Sequence, residues 1–223
     1  SDSGPEDDAP PCAEITAEAQ NLYLPVDIIW AIDSSGSMGQ EIDLIQERMN
    51  GFADFVENSG LDYQIVLLAD KQESSQNTYD VCLPPPLSSV NSCPDEDGPR
   101  YRHIRRYVDS TSALEEIRDA FPDYRDVLRE GASVHMVVVS DDETSIEAEQ
   151  FLTDLQGLGH SPLVDNLTFH SIVSDYNEDC FFGFCWEAGC DGPYGSADSW
   201  GEEYINLSAA TGGVFSDICN AEW

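Results

Sequence analysis

The stretch VDIIWAI (Val26–Ile32) constrains the chain more than any other. It is short, nearly continuous in apolar residues and carries a single charge. A strand drawn through it presents apolar side chains to both sides, so both faces must be covered. That is the requirement of a strand inside a parallel sheet with helices packed on either side.

The order of the following segments extends this reading. Ile42, Ile45, Met49, Phe52 and Phe55/Val56 recur at steps of three and four, which predicts an amphipathic helix closed by Gly60. YQIVLLAD (Tyr63–Asp70) is a second strand, and strand, helix, strand in this order forms a right-handed crossover unit. SVHMVVVS (Ser133–Ser140) and NLTFHSIVS (Asn166–Ser174) are further buried strands, and VFSDI is a last short one. RYRHIRRYV (Arg100–Val108) alternates and reads as an edge strand, its arginines suited to a solvent-facing edge. Thr144 and Glu147 have the spacing of a capping box and should start a helix that ends near Gly157. The expected fold is α/β: a doubly wound, Rossmann-like, mostly parallel sheet with one antiparallel edge strand. Residues 1–20 read as an acidic, proline-rich linker or tether. Residues 21–223 read as the folded domain, with cysteine-containing loop insertions at 71–99 and 176–199 that are long enough to carry specificity.

Charge narrows the function. There are 44 acidic and 9 basic residues, a formal net charge of -35, and Lys71 is the only lysine. Nucleic-acid binding needs a basic surface that displaces counterions, and this chain has none. An anionic membrane surface repels it for the same reason. The acidity suits a salty medium, where screening is short-ranged, and it also suits oxygen-ligated hard cations. No segment has the length and apolarity of a membrane span. The opening SDSGPEDDAPP is not a signal peptide, and an export signal or lipid anchor upstream is compatible with it.

Seven cysteines without any C-x-x-C pair speak for disulfides rather than zinc. Cys82 and Cys93 bracket a proline-rich loop and can close it. Cys180, Cys185, Cys190 and Cys219 can form two more bridges, in three possible connectivities. Cys12 is then the odd one out. Disulfides and acidity together point to a secreted or cell-surface protein, of bacterial type.

The chemistry is concentrated where strands end. VDIIWAI runs into Asp33-Ser34-Ser35-Gly36-Ser37, and HMVVVS runs into Asp141-Asp142-Glu143. In a doubly wound sheet both sites fall on the carboxyl rim, where ligands gather. Ser35 and Ser37, two apart, can turn their hydroxyls to one side. Ser110-Thr111-Ser112 adds hydroxyls from a third loop. This all-oxygen set suits a hard divalent ion, Mg²⁺ above all, or Ca²⁺ or Mn²⁺.

DSSGS, between an apolar strand and an amphipathic helix, resembles the D-x-S-x-S motif of the von Willebrand factor A family and its metal-ion-dependent adhesion site. The likeness spans about residues 24–218. It implies that Asp33, Ser35 and Ser37 are metal ligands, with Asp141 as the later aspartate and Ser110 as the hydroxyl from the middle loop. Two departures matter. The family usually has Asp-Gly where this chain has Asp141-Asp142, so Asp142 is an alternative to Asp141, and Thr111 is an alternative to Ser110. The resemblance further implies an ion held mostly by neutral hydroxyls, with one position open for the Asp or Glu of a protein partner.

Enzyme readings find little support. The serines lack the G-x-S-x-G elbow, no phosphate-binding G-x-x-x-x-G-K-[ST] loop is present, and DSSGS lacks the second aspartate of phosphoaspartate enzymes. The expectation is a binding module, not a catalyst.

Overall fold

A computed structural model of the chain describes residues 24–71, 79–182 and 184–220. The segment read as a linker, and Cys12 with it, lies outside the described residues. The elements in chain order are β1 (Val26–Ile32), α1 (Ile42–Asn58), β2 (Tyr63–Ala69), β3 (Tyr101–Arg105), α2 (Ala113–Asp119) and α3 (Phe121–Tyr124). There follow β4 (Ser133–Val139), α4 (Ala148–Gly157), α5 (Ser161–Asp165), β5 (Leu167–Val173), β6 (Asn177–Phe181) and β7 (Phe184–Ala188). The last are β8 (Asp191–Gly192), β9 (Gly195–Ser196), α6 (Glu202–Thr211) and β10 (Phe215–Asp217).

The central sheet has six strands in the order β10-β5-β4-β1-β2-β3. Chain direction reverses its sideways progress between β1 and β4, as in other doubly wound α/β folds. The two-sided burial expected of β1 is met by two cores. Ile29 and Ala31 point into one with Phe151 and Leu155 of α4 and Tyr204 and Leu207 of α6. Trp30 and Ile32 point into the other with Ile45, Met49 and Ala53 of α1. Of the periodic stripe that predicts α1, Ile42, Ile45, Met49 and Val56 are buried and Phe52 half-buried, while Phe55 is exposed.

One expectation is corrected. β3 is an edge strand, but it pairs parallel with β2, with Ile65 opposite Tyr101 and Ala69 opposite Arg105. An antiparallel strand needs only a turn at the rim where β2 ends. Here the chain between them travels back to the other end of the sheet, where the Ile65 amide donates to the Arg100 carbonyl at 2.9 Å. It does so as an irregular crossover, with Val81, Leu83 and Leu87 buried in the core beside α1. The segment lacks any helical period, so its sequence gave no sign of crossing.

Two smaller corrections concern local signals. α4 begins at Ala148, and Thr144 bonds only within its own turn, to the Ile146 amide. The capping box is replaced by a contact from another helix, described below. The stretch 176–199 holds two short antiparallel hairpins, β6–β7 and β8–β9, rather than loop alone. The three bridges are Cys82–Cys93, Cys180–Cys185 and Cys190–Cys219. The first closes the loop it was expected to close, and the other two resolve the open connectivity.

Candidate metal centre

The site forms because β1 and β4 are neighbours in register. Ile32 lies opposite Val139, so the residues that follow each strand emerge side by side. The Asp33 amide donates to the Val139 carbonyl at 2.9 Å, and the Ser34 amide to Val108, which draws in the loop before α2. A short 3-10 turn, Gly36–Gly39, then carries Ser37 back over the rim.

The side chains form a connected set. Asp33 Oδ1 accepts the Ser35 amide at 2.7 Å, and Asp33 Oδ2 accepts the Ser140 hydroxyl at 2.7 Å. The Ser35 and Ser37 hydroxyls are 2.9 Å apart, and Ser37 donates to Asp141 Oδ1 at 3.2 Å. Asp33, Ser35 and Asp141 are buried, and Ser37 is half-buried. Asp141 Oδ2 is buried without any hydrogen-bond partner. A buried acceptor left unpaired is costly, and a proton, a water or a cation would satisfy this oxygen.

Electrostatics point the same way. Burial pushes the Asp33 carboxyl up to about 6, held back by hydrogen bonds from Ser35 and Ser140 and raised further by Asp142. Asp141 is pushed up to about 7, first by burial and then by the charges of Asp33 and Asp142, with the Ser37 hydrogen bond opposing. Asp142 is also raised by burial, which the Ser110 and Ser199 hydroxyls partly offset. Among the described residues, no basic side chain forms an ion pair with Asp33, Asp141 or Asp142. Metal-free, the rim therefore holds several carboxylates that resist ionising together. A divalent cation would relieve this, and the side-chain donors named here are hard oxygens suited to one.

Of the five residues assigned by sequence, Asp33, Ser35, Ser37 and Asp141 are brought together. Ser110 reaches the same rim differently. Its side chain lies close enough to Asp142 to lower that carboxyl without reaching full hydrogen-bond geometry, and its carbonyl lies 3.4 Å from the Ser140 hydroxyl. Thr111 is exposed and takes part through its carbonyl, which accepts the Ser145 amide. Of the two candidate aspartates, Asp141 meets Ser37, while Asp142 accepts the Ser199 hydroxyl at 3.2 Å.

Three further residues shape the site. Ser140 fixes Asp33 and was not among the residues assigned from sequence, although its place immediately before Asp141 is a signal that could have found it. Ser199 reaches the rim from the segment between β9 and α6. Glu41, just before α1, buries its whole carboxylate near Asp141, and burial raises it. Backbone amides of Glu41, Gln40 and Ser196 moderate that shift without reaching full hydrogen-bond geometry. Neither Ser199 nor Glu41 sits in a motif.

Among the described residues, the groups of three Asp, Glu, His or Cys side chains close enough to share a cation lie away from this rim: Cys82/Asp95/His103, Glu178/Cys180/Cys185 and Cys190/Asp217/Cys219. Every cysteine in them is bound in a disulfide, so none offers the thiolate that metal ligation uses.

Fold and rim together define a doubly wound α/β domain with an acidic, oxygen-lined site at its switch point. No family model matches the chain, and no curated protein matches it. Among solved structures it is similar to the conserved hypothetical protein BatB from Bacteroides thetaiotaomicron, at 15% identity over 87% of this chain and 91% of that one, with a TM-score of 0.40. It is also similar to a putative Mar1 ribonuclease from Leishmania major, at 8% identity over 86% and 78%, TM-score 0.33. An isochorismatase-like hydrolase from Alkaliphilus metalliredigens matches at 10% identity over 85% and 93%, TM-score 0.33. Likenesses of this size bear on neither family nor activity.

Proposed function

We propose that the chain is a divalent-cation-dependent protein-recognition module of the von Willebrand factor A type, acting by binding rather than turnover outside the cytoplasm. The observation that carries this reading is the unpartnered, buried Asp141 Oδ2 beside the linked hydroxyls of Ser35 and Ser37. Asp33, Ser35, Ser37 and Asp141 would hold the ion, with Ser110 and Asp142 beside them on the same rim. Mg²⁺ bound there supplies an open coordination position for the carboxylate of a partner's Asp or Glu. Ser140 keeps Asp33 aimed at the site, and Ser37, half-open to solvent, marks the side from which a partner approaches. A charge of -35 opposes an acidic partner at long range, so association should speed up as salt screens it.

The test is calorimetric titration of MgCl₂ into chelator-stripped protein, followed by panning of a random peptide library in Mg²⁺ with elution by EDTA. The expected result is heat that vanishes in Ser37→Ala, and eluted peptides that share an acidic residue. Absence of ion binding to the wild-type protein overturns the proposal.

A second reading, a cation that only steadies the rim, is favoured by the burial of Asp33, Ser35 and Asp141. It predicts that chelation lowers the melting temperature while EDTA releases no peptide.

A further inference from the structure

The hairpin β6–β7 follows the rim end of β5, and its base is tied there. The Cys190 amide donates to Ser174 Oγ at 2.7 Å, and Asn177 Nδ2 to the Gly189 carbonyl at 3.3 Å. The chain beyond it returns to the site, where the Asp198 and Ser199 amides donate to the Asp141 carbonyl. The hairpin is thus rooted on the rim that carries the candidate metal centre.

Its surface is unusual for a soluble domain. Phe182 is 88% exposed, Phe184 77% and Trp186 52%. Phe184 and Trp186 alternate along β7 and share one face. The other face pairs Glu178 directly opposite Glu187, and both are exposed. Like charges facing one another across strands are unfavourable, and a lone two-stranded hairpin is marginal in water. The Cys180–Cys185 bridge, itself a directly opposed pair, secures the hairpin against both costs. A feature that keeps large aromatics in water on a cross-linked support serves an encounter.

We infer that Phe182, Phe184 and Trp186 form a preorganised recognition finger that inserts into an apolar cleft, rimmed by Lys or Arg, on a protein partner. Charge selects this occupant. Asp179, Glu178 and Glu187 lie within a few residues of the aromatics, and no Lys or Arg occurs after Arg129. A zwitterionic headgroup layer pairs each cation with a phosphate and so has no net charge to attract these carboxylates, and an anionic layer repels them. A basic rim relieves the Glu178–Glu187 repulsion while the cleft covers the rings. Aromatics carried on a cross-linked hairpin lose less backbone entropy on docking than aromatics on an open loop, and large aromatics are enriched among interface hot spots. That the partner is a protein rests on the recognition reading of the rim; the finger contact itself needs no cation.

The test separates the two. A random peptide library is panned on the wild-type protein in EDTA, where no cation contributes. Enriched peptides are expected to combine Lys or Arg with Leu, Ile, Phe or Trp. They should bind the Phe184→Ser/Trp186→Ser double variant at least about tenfold more weakly, and bind Ser37→Ala as they bind wild type. Phe182→Ser should give a smaller loss of the same kind. Unchanged melting of the variants is expected, because the altered side chains are exposed and the bridge remains. The inference is overturned if no such peptides are enriched, if the double variant binds them equally, or if the wild-type protein instead cosediments with phosphatidylcholine vesicles through these rings. Loss of ion binding at the rim with finger binding intact would count against the metal centre alone.

Discussion

The Ser37 hydroxyl donates to Asp141 Oδ1 at 3.2 Å across 104 positions of sequence. The contact exists because β1 and β4 lie side by side and both point their ends at one rim. It satisfies one oxygen of Asp141 and leaves the other buried without a partner. Metal-free, the wild-type site is therefore internally strained by charge. Asp141→Asn keeps the shape and removes the charge, so it should raise the stability of the metal-free protein by about 1 kcal/mol at pH 8. The same variant should lose the rise in melting temperature that saturating Mg²⁺ gives the wild type. Urea unfolding with and without chelator reads both effects, and a variant less stable than wild type in EDTA contradicts the account.

The raised carboxyls set a pH dependence with a definite sign. Asp33 at about 6 and Asp141 at about 7 both lie above the ordinary value of 3.8. The folded metal-free protein therefore binds more protons than the unfolded chain between these values. Stability contributed by the pair is greatest near pH 4 and falls as pH rises toward 7. Unfolding in EDTA across this range should show the decline, and Asp141→Asn should flatten it. Saturating Mg²⁺ should reverse the slope, since deprotonated ligands then gain a partner.

Much of this was legible before the coordinates. Val26–Ile32 and Ser133–Val139 are apolar on both faces, so their place inside a parallel sheet followed from burial alone. Asp33 and Asp141 then had to share a rim. What stayed hidden has a common physical cause: it depends on segments without periodicity. The connection that returns the chain to Tyr101 makes β3 parallel, yet the buried Val81, Leu83 and Leu87 in its described part follow no repeat. Ser199 and Glu41 enter the site through tertiary folding of loops, which no local pattern announces. Thr144 and Glu147 show the converse, a correct local spacing overruled by a better partner from elsewhere.

The crossover loop hangs on Asp95. Its carboxylate, buried, accepts from the Leu83 amide at 2.8 Å and the Tyr101 hydroxyl at 2.6 Å, and meets His103 Nδ1 at 2.6 Å. Asp95 thus fastens the loop to β3 on both sides of the turn. Burial alone pushes its carboxyl up, but the His103, Tyr101 and Leu83 bonds outweigh this and hold it below the usual carboxylate range. Asp95→Ala leaves three buried groups unsatisfied and should cost about 3 kcal/mol. Denaturant unfolding measures it, and a loss below about 1 kcal/mol would show that the loop is anchored by its apolar residues instead.

The helices α4 and α6 cap one another through two glutamates. Glu203 Oε2, in the first turn of α6, accepts the Ala148 amide that opens α4 at 2.6 Å. Glu143, just past the metal rim, accepts the Glu203 amide at 3.0 Å with Oε2 and the Thr144 amide at 2.7 Å with Oε1. Each carboxylate sits at the positive end of a helix and satisfies an amide that has no partner within it. Glu203→Ala should cost about 1 kcal/mol, the usual size of a lost cap. Glu203→Gln keeps an acceptor but not the charge, so its cost should be smaller. The local reading is amide hydrogen exchange, which should accelerate at Ala148 in Glu203→Ala more than across α6. Because Glu143 adjoins Asp142, the same variant reports whether the rim depends on this brace. If Mg²⁺ binds Glu203→Ala as tightly as wild type, the cap stabilises the helices alone; weaker ion binding with unchanged stoichiometry places it in support of the site.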